Sequence, residues 1–130
     1  MPSQTKSDVH ITPDVVFELI NTYWGYKKQQ LFDPCPVNPQ WDGLKIPWHK
    51  LNYVNPPYTL LEEFVSKAYW ESLKGNITIM LLPSTKTDKP YFHDIIVDHR
   101  YEIKFIRGRL KFKNNKWQAP QPHFLVRIKQ

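Results

Sequence analysis

The sequence predicts an α/β fold: an open, largely parallel sheet crossed by helices, reduced in size and ending in a basic β-hairpin. Three observations predict it. Short apolar runs over residues 51–54, 76–82 and 102–106 alternate with helical patterns, and that alternation belongs to parallel strands joined by right-handed crossovers. The run over residues 76–82 is apolar at nearly every position, as a central strand covered on both faces requires. The chain has 130 residues, enough for one core and a pared-down sheet.

Residues 1–11 are polar and without periodicity, and read as a loose arm ahead of a single domain over residues 12–130. Thr12 is placed to cap a helix with Pro13 at its first position. Val15, Val16, Leu19, Ile20, Tyr23 and Trp24 then recur at helical spacing until Gly25 stops it. The start of that helix offers free N–H groups that suit a carboxylate, although capping alone also explains Thr12-Pro13. Residues 29–33 read as a short strand ended by Pro34-Cys35-Pro36. Asp33 then stands at a strand's carboxyl end, where an acid can hold an ammonium or a ribose hydroxyl. No glycine-rich turn follows it.

Residues 36–50 are rich in Pro, Asn, Gly and Trp and read as an ordered loop. Asp42 is its candidate acceptor and Trp41 its candidate pocket wall, while Trp48 reads first as packing. Residues 51–54 are a buried strand, after which comes Asn55-Pro56-Pro57-Tyr58. Residues 60–74 form an amphipathic helix with Leu61, Phe64, Val65, Ala68, Tyr69 and Leu73 on one face, closed by Gly75. After the strand at 76–82, residues 83–88, including Lys86, form a polar loop on the ligand side of the sheet. A short helix over 90–97 leads to the strand at 102–106.

The last quarter differs in kind. Arg107, Arg109, Lys111 and Lys113 alternate with Leu110 and Phe112, followed by an Asn114-Asn115 turn, Trp117, Pro120-Gln121-Pro122 and a strand over 124–128. This reads as a basic hairpin whose cations grip a phosphate backbone, while Phe112 or Trp117 props a strand or fills the gap left by an extruded base. Charge is distributed accordingly: the net charge is +6, eight of the 18 Lys and Arg residues lie from Lys104 onward, and no Asp or Glu follows Glu102. A polyanion partner fits that asymmetry, against the plainer reading of a solvated basic surface. The single cysteine, Cys35, cannot form an intramolecular disulfide, and neither it nor the five histidines have metal-ligand spacing, so no metal site is expected. There is no apolar run of about 18 residues and no charged-then-apolar leader, which predicts a chain that neither spans a membrane nor is secreted.

The chemistry concentrates in Asn55-Pro56-Pro57-Tyr58. It lies at a strand's carboxyl end, where open α/β sheets bind ligands. The prolines remove two N–H donors and free carbonyls to accept. An amide oxygen, a free carbonyl and an aromatic face suit a flat ring or amide carrying an NH2 group: Asn55 Oδ1 and the Pro56 carbonyl take the two N–H bonds and Tyr58 stacks. A proline-punctuated strand end with Asn55 turning the chain is the structural alternative.

The tetrapeptide resembles the [DNS]-P-P-[YFW] motif of amino-group methyltransferases. The series Thr12-Pro13, Phe32-Asp33-Pro34-Cys35, Asp42-Gly43-Leu44, Val54 to Tyr58, Met80-Leu81-Leu82-Pro83, Phe92-His93-Asp94, Phe105 to Arg109 and Ala119-Pro120 resembles the phage-type, Dam-like DNA N6-adenine methyltransferases, from about residue 11 to 127. The resemblance implies a reduced Rossmann-like, S-adenosylmethionine-dependent methyltransferase sheet that methylates adenine N6 in flipped-out or single-stranded DNA. Asn55, Pro56, Pro57 and Tyr58 would be catalytic. Thr12, Pro13, Asp33, Pro34, Cys35, Asp42 and Asn55 would serve the cofactor, and Lys86, Arg107, Arg109, Lys111, Lys113 and Trp117 the DNA. It also implies the cytoplasm, that of the host cell for a phage-encoded chain. Other readings stay open: RNA adenine, cytosine N4 or a glutamine side chain as acceptor, and a nucleic-acid-binding module with a vestigial pocket. A homodimer or partner subunit covering the cofactor is also open. The span between Asp33 and Asn55 is shorter than in larger relatives.

Overall fold

The computed structural model describes residues 10–130. The expected N-terminal arm therefore lies outside the described residues, apart from His10 and Ile11. Those two are tied down: Ile11 N donates to Asn114 Oδ1 at 3.0 Å, and the Ile11 carbonyl accepts from Lys113 N.

Period-two alternation sorts the apolar strand residues onto two faces of one sheet. The strands are β1 (Leu51–Val54), β2 (Ile77–Pro83), β3 (Glu102–Phe105) and β4 (His123–Ile128), in spatial order β1-β2-β4-β3. Val54, Met80, Leu82, Phe124 and Val126 face helix α2 (Leu61–Ser72) and a π-helical segment, Tyr91–Val97. Tyr53, Ile79, Leu81 and Leu125 face helix α1 (Asp14–Trp24) and the segment between β3 and β4. Both faces of β2 are covered, which is why its sequence is an unbroken apolar run.

β1 and β2 are parallel, with α2 as the crossover, as expected. β4 runs antiparallel to both β2 and β3 and lies between them, so the sheet is mixed. The strand expected over 29–33 shrinks to a single parallel bridge, Phe32 to Asn52. Residues Lys28–Gln30 tighten into a 3-10 turn and Pro34 lacks an N–H, leaving only Phe32 able to pair.

Of the basic hairpin expected from Arg107 onward, the strand over 124–128 forms, but it pairs with β2 and β3 and not with residues 107–113. A tight turn closes where Asn115 N donates to the Phe112 carbonyl, but the arms around it do not pair as strands; residues 106–122 are an irregular connection between the antiparallel β3 and β4. Its backbone bonds go elsewhere, from Lys113 to Ile11 and from Ala119 to Leu110, while Leu110 and Phe112 turn inward and are buried. Burying those two side chains outweighs pairing the arms as a free ribbon.

Helix α1 ends as expected, with Gly25 left-handed at φ 76° and its N–H on the Asn21 carbonyl. Its start differs: Pro13 takes the cap position with no side-chain cap bond, and the Thr12 hydroxyl is drawn to Tyr53 instead. Among the described residues no helix is long and apolar enough to cross a membrane.

Candidate functional site

The topology brings three strand ends to one edge of the sheet. β1 runs into Asn55, β2 ends at Pro83, and β4, running the other way, starts at His123 directly opposite Pro83. Ser84 N donates to the Pro122 carbonyl at 2.9 Å and closes that edge. Asn55-Pro56-Pro57-Tyr58 therefore faces residues 121–123, far away in sequence.

Within the tetrapeptide, Pro56 and Pro57 are buried and rigid, and Tyr58–Leu60 turn as a short 3-10 helix into α2. The Pro57 carbonyl accepts from Leu60 N at 3.0 Å, whereas among the described residues no backbone N–H outside the helices and strands donates to the Pro56 carbonyl. Asn55 donates through Nδ2 to the His10 carbonyl at 3.0 Å and, at a longer 3.5 Å, to Thr12 Oγ1. Its Oδ1 is buried without a hydrogen-bond partner among the described residues. Leaving an amide oxygen dry and unpaired costs about 1–3 kcal/mol, a cost that a ligand N–H would remove. The donor end thus sets the amide orientation and leaves the buried acceptor end without a partner among the described residues.

Thr12 Oγ1 also bonds the Tyr53 hydroxyl at 2.8 Å. Tyr53 is buried within β1, and burial drives its hydroxyl far above the ordinary tyrosine range, countered by the Thr12 bond and raised further by the charge of Asp33. Thr12, Tyr53, Asp33 and Asn55 therefore form one polar neighbourhood. Tyr53 escaped the sequence reading because an apolar strand position gives no sign of what its hydroxyl meets.

Asp33 follows the Phe32 bridge and is half-buried. Loss of solvent pushes its carboxyl up to about 6, only partly opposed by the Cys35 N–H that donates to Oδ1 at 2.8 Å. The loop after it is clasped to residues 41–44: Trp41 Nε1 donates to the Pro34 carbonyl at 2.7 Å, and a Cβ on Gly43 would lie 2.5 Å from that same oxygen. Glycine at 43 is what lets the two loops meet. Asp42 closes the turn by accepting from Leu44 N at 3.0 Å, and Trp48 is packed in the core with Nε1 on the Gly43 carbonyl. Asp42 and Trp48 thus serve the loop's own geometry.

Tyr58 is held at its hydroxyl. Gln121 Nε2 donates to it at 3.0 Å, and His123 Nε2 lies 2.8 Å away. Beside its ring opens a cleft of about 570 Å³ lined by His10, Tyr58, Lys86, Phe112, Trp117 and Gln121, among others. The His10 ring packs on Tyr58 with centroids 5.1 Å apart and on Phe112 at 4.7 Å. Phe112, expected as a wedge, is 1% exposed and belongs to the wall; Trp117, at 74%, is exposed at the rim with the Lys116 ammonium over its ring at 5.3 Å.

The basic residues divide. Lys86 and Trp117 border the Tyr58 cleft. Arg107, Arg109 and Lys111 line a different groove with Pro13, Val15 and Tyr23. Lys113 is paired with Asp14 at 2.8 Å, a bond that holds the Asp14 carboxyl below its ordinary range. Pro13 therefore lies with the basic groove, apart from the Tyr58 cleft.

The arrangement sets an amide oxygen, unpartnered among the described residues, and an aromatic ring at one edge of the sheet, with a half-buried acid nearby and cations at the rim. Residues 2–123 match the family described as DNA N-6-adenine-methyltransferase (Dam). No curated protein and no solved structure matches the chain. With that match covering nearly its whole length, the chain belongs to the Dam family of DNA N-6-adenine-methyltransferases.

Proposed function

We propose that the chain transfers a methyl group from S-adenosylmethionine to adenine N6 in DNA, acting on a base that is flipped out of the duplex or single-stranded. The observation that carries the reading is the buried Asn55 Oδ1, without a partner among the described residues, next in the chain to the Pro56 carbonyl. An exocyclic NH2 group has two N–H bonds to give, and two fixed acceptors match it. Accepting both hydrogens draws the nitrogen lone pair out of conjugation with the ring and stabilises the positive charge that grows on nitrogen as it attacks. Tyr58 supplies the stacking face, and the Tyr58 cleft has room for a base.

The residues fit the cofactor as well. Asp33 is a desolvated acid that gains by meeting a cation, which suits the ammonium of the methionine moiety. Asp33, with the Pro34-Cys35 turn and Thr12, would hold that end, with Asn55 beside Thr12. S-adenosylmethionine, when bound, supplies an electrophilic methyl group on a sulfonium, so positioning and acceptor electrostatics are what the chain must add. Pro13 and Asp42 have less support as cofactor residues, given the groove and the turn they serve. Lys86 and Trp117 would meet the strand at the cleft, and Arg107, Arg109 and Lys111 its phosphates further along.

The test is methyl transfer from labelled S-adenosylmethionine to unmethylated DNA, RNA and protein, with chromatography of the digested products. N6-methyladenine from DNA that disappears in Asn55→Ala, while cofactor binding persists, is the expected result. Label only in RNA, in cytosine or in glutamine would replace the acceptor, and full activity in Asn55→Ala would remove the site.

A further inference from the structure

We infer that His123 is a positioning residue which, together with Gln121, clamps the Tyr58 hydroxyl and thereby fixes the ring plane against which the acceptor base stacks. The inference rests on the reading of Tyr58 as the base-facing aromatic.

The geometry is that of a hydrogen-bond relay with one consistent direction. Gln121 Nε2 can only donate, and it does so to the Tyr58 oxygen at 3.0 Å. In the inferred relay, the tyrosine proton points at His123 Nε2, 2.8 Å away, and that nitrogen is unprotonated. The imidazole proton in this relay sits on Nδ1, which is buried without a geometric hydrogen-bond partner among the described residues. His123 is 1% exposed and is the first residue of β4, so its backbone is held in the sheet opposite Pro83. Phe112 packs edge-on against its ring at 5.4 Å, leaving the imidazole little freedom to turn. Burial, with the nearby His10 adding to it, holds the imidazole neutral down to about pH 4, against a weaker opposing interaction of the ring with the Gln121 backbone. The acceptor nitrogen is therefore available at neutral pH.

A tyrosine ring gripped only by packing swings about its Cα–Cβ bond; one tied at its hydroxyl to two rigid partners keeps its long axis, and because a phenolic O–H prefers the ring plane, a proton aimed at His123 favours one plane as well. Tyr58 meets the His10 ring, also at the cleft wall, at 5.1 Å, which leaves no slot between those two rings for a base. The base must therefore use the face that opens to the cleft, and the clamp sets where that face points.

Two measurements test it. Nitrogen NMR of His123 should show one neutral tautomer with the proton on Nδ1, and Tyr58→Phe should alter it; a proton on Nε2, or a spectrum indifferent to Tyr58→Phe, overturns the clamp. In steady-state methylation, His123→Leu and Tyr58→Phe should each lower kcat about tenfold, the size of one hydrogen bond, with the KM for cofactor unchanged. The double variant should lose about tenfold in total, because both changes remove the same bond. His123→Gln, whose Oε1 can replace Nε2, should recover most of the loss. Independent, multiplying losses in the double variant would make His123 merely structural and overturn the inference. If the wild-type chain methylates no DNA, the proposed function fails while the imidazole spectrum still decides whether the clamp exists.

Discussion

Asp33 carries a prediction that separates a cofactor-binding acid from a structural one. Its carboxyl is pushed up to about 6 by burial, so it is about one-tenth ionised at pH 5 and nine-tenths ionised at pH 7. If the ionised form holds the ammonium of the cofactor, affinity should weaken by about tenfold from pH 7 to pH 5, about 1.4 kcal/mol. Above about pH 7 it should level off. Asp33→Asn keeps an oxygen for the Cys35 N–H but has no charge, so its affinity should be lower at pH 7 by about 10- to 100-fold, the cost of losing a charge-assisted bond, and flat with pH. The ammonium itself stays protonated over this window, so its titration does not imitate the effect. Calorimetric titration with S-adenosylhomocysteine at half-unit steps from pH 5 to 7.5, on both proteins, reads the slopes directly. A wild-type affinity that is flat with pH, or the same slope in Asp33→Asn, refutes the assignment.

The same two buried groups should shape stability in opposite directions. His123, lowered to about 4 by burial, contributes stability that is complete above about pH 6.5 and is lost as pH falls through 4; the full difference is about 3 kcal/mol. Asp33, raised from 3.8 to about 6, contributes stability that is complete below about pH 3.8 and is lost as pH rises through 6, also by about 3 kcal/mol. Urea denaturation between pH 4 and 7 should therefore find stability rising with pH in Asp33→Asn and falling in His123→Leu; matching slopes in the two variants would contradict this. Arg109→Ala should reduce the slope of log affinity for DNA against log salt by about one, as expected for the loss of one phosphate contact, whereas Lys113→Ala, already paired with Asp14, should change it less. Equal changes in the two would deny the division of the basic residues. Gly43→Ala sets a Cβ 2.5 Å from the Pro34 carbonyl and should cost about 1–3 kcal/mol of stability while weakening cofactor binding by opening the clasp behind Asp33; unchanged urea midpoint and affinity would deny the clasp.

What the sequence determined by itself is what depends on neighbours in the chain. β1 follows the apolar run over Leu51–Val54, the left-handed glycine at 25 stops α1, and the unbroken apolar run over residues 77–82 reads as a strand covered on both faces. The tetrapeptide was legible for the same reason, since its rigidity and its missing donors are built into two adjacent prolines. Only the tertiary structure decided the rest, because the choice lay with residues distant in sequence. Thr12 gave up the cap to serve a tyrosine 41 residues on, and Tyr58 found its clamp 65 residues away at His123. Pairing order is likewise a property of the whole sheet: β4 reads as one more apolar strand, and nothing local told it to lie antiparallel between β2 and β3. The alternation of cations with Leu110 and Phe112 promised a ribbon, but the apolar face beneath had room for both side chains, and burying them cost the arms their partners.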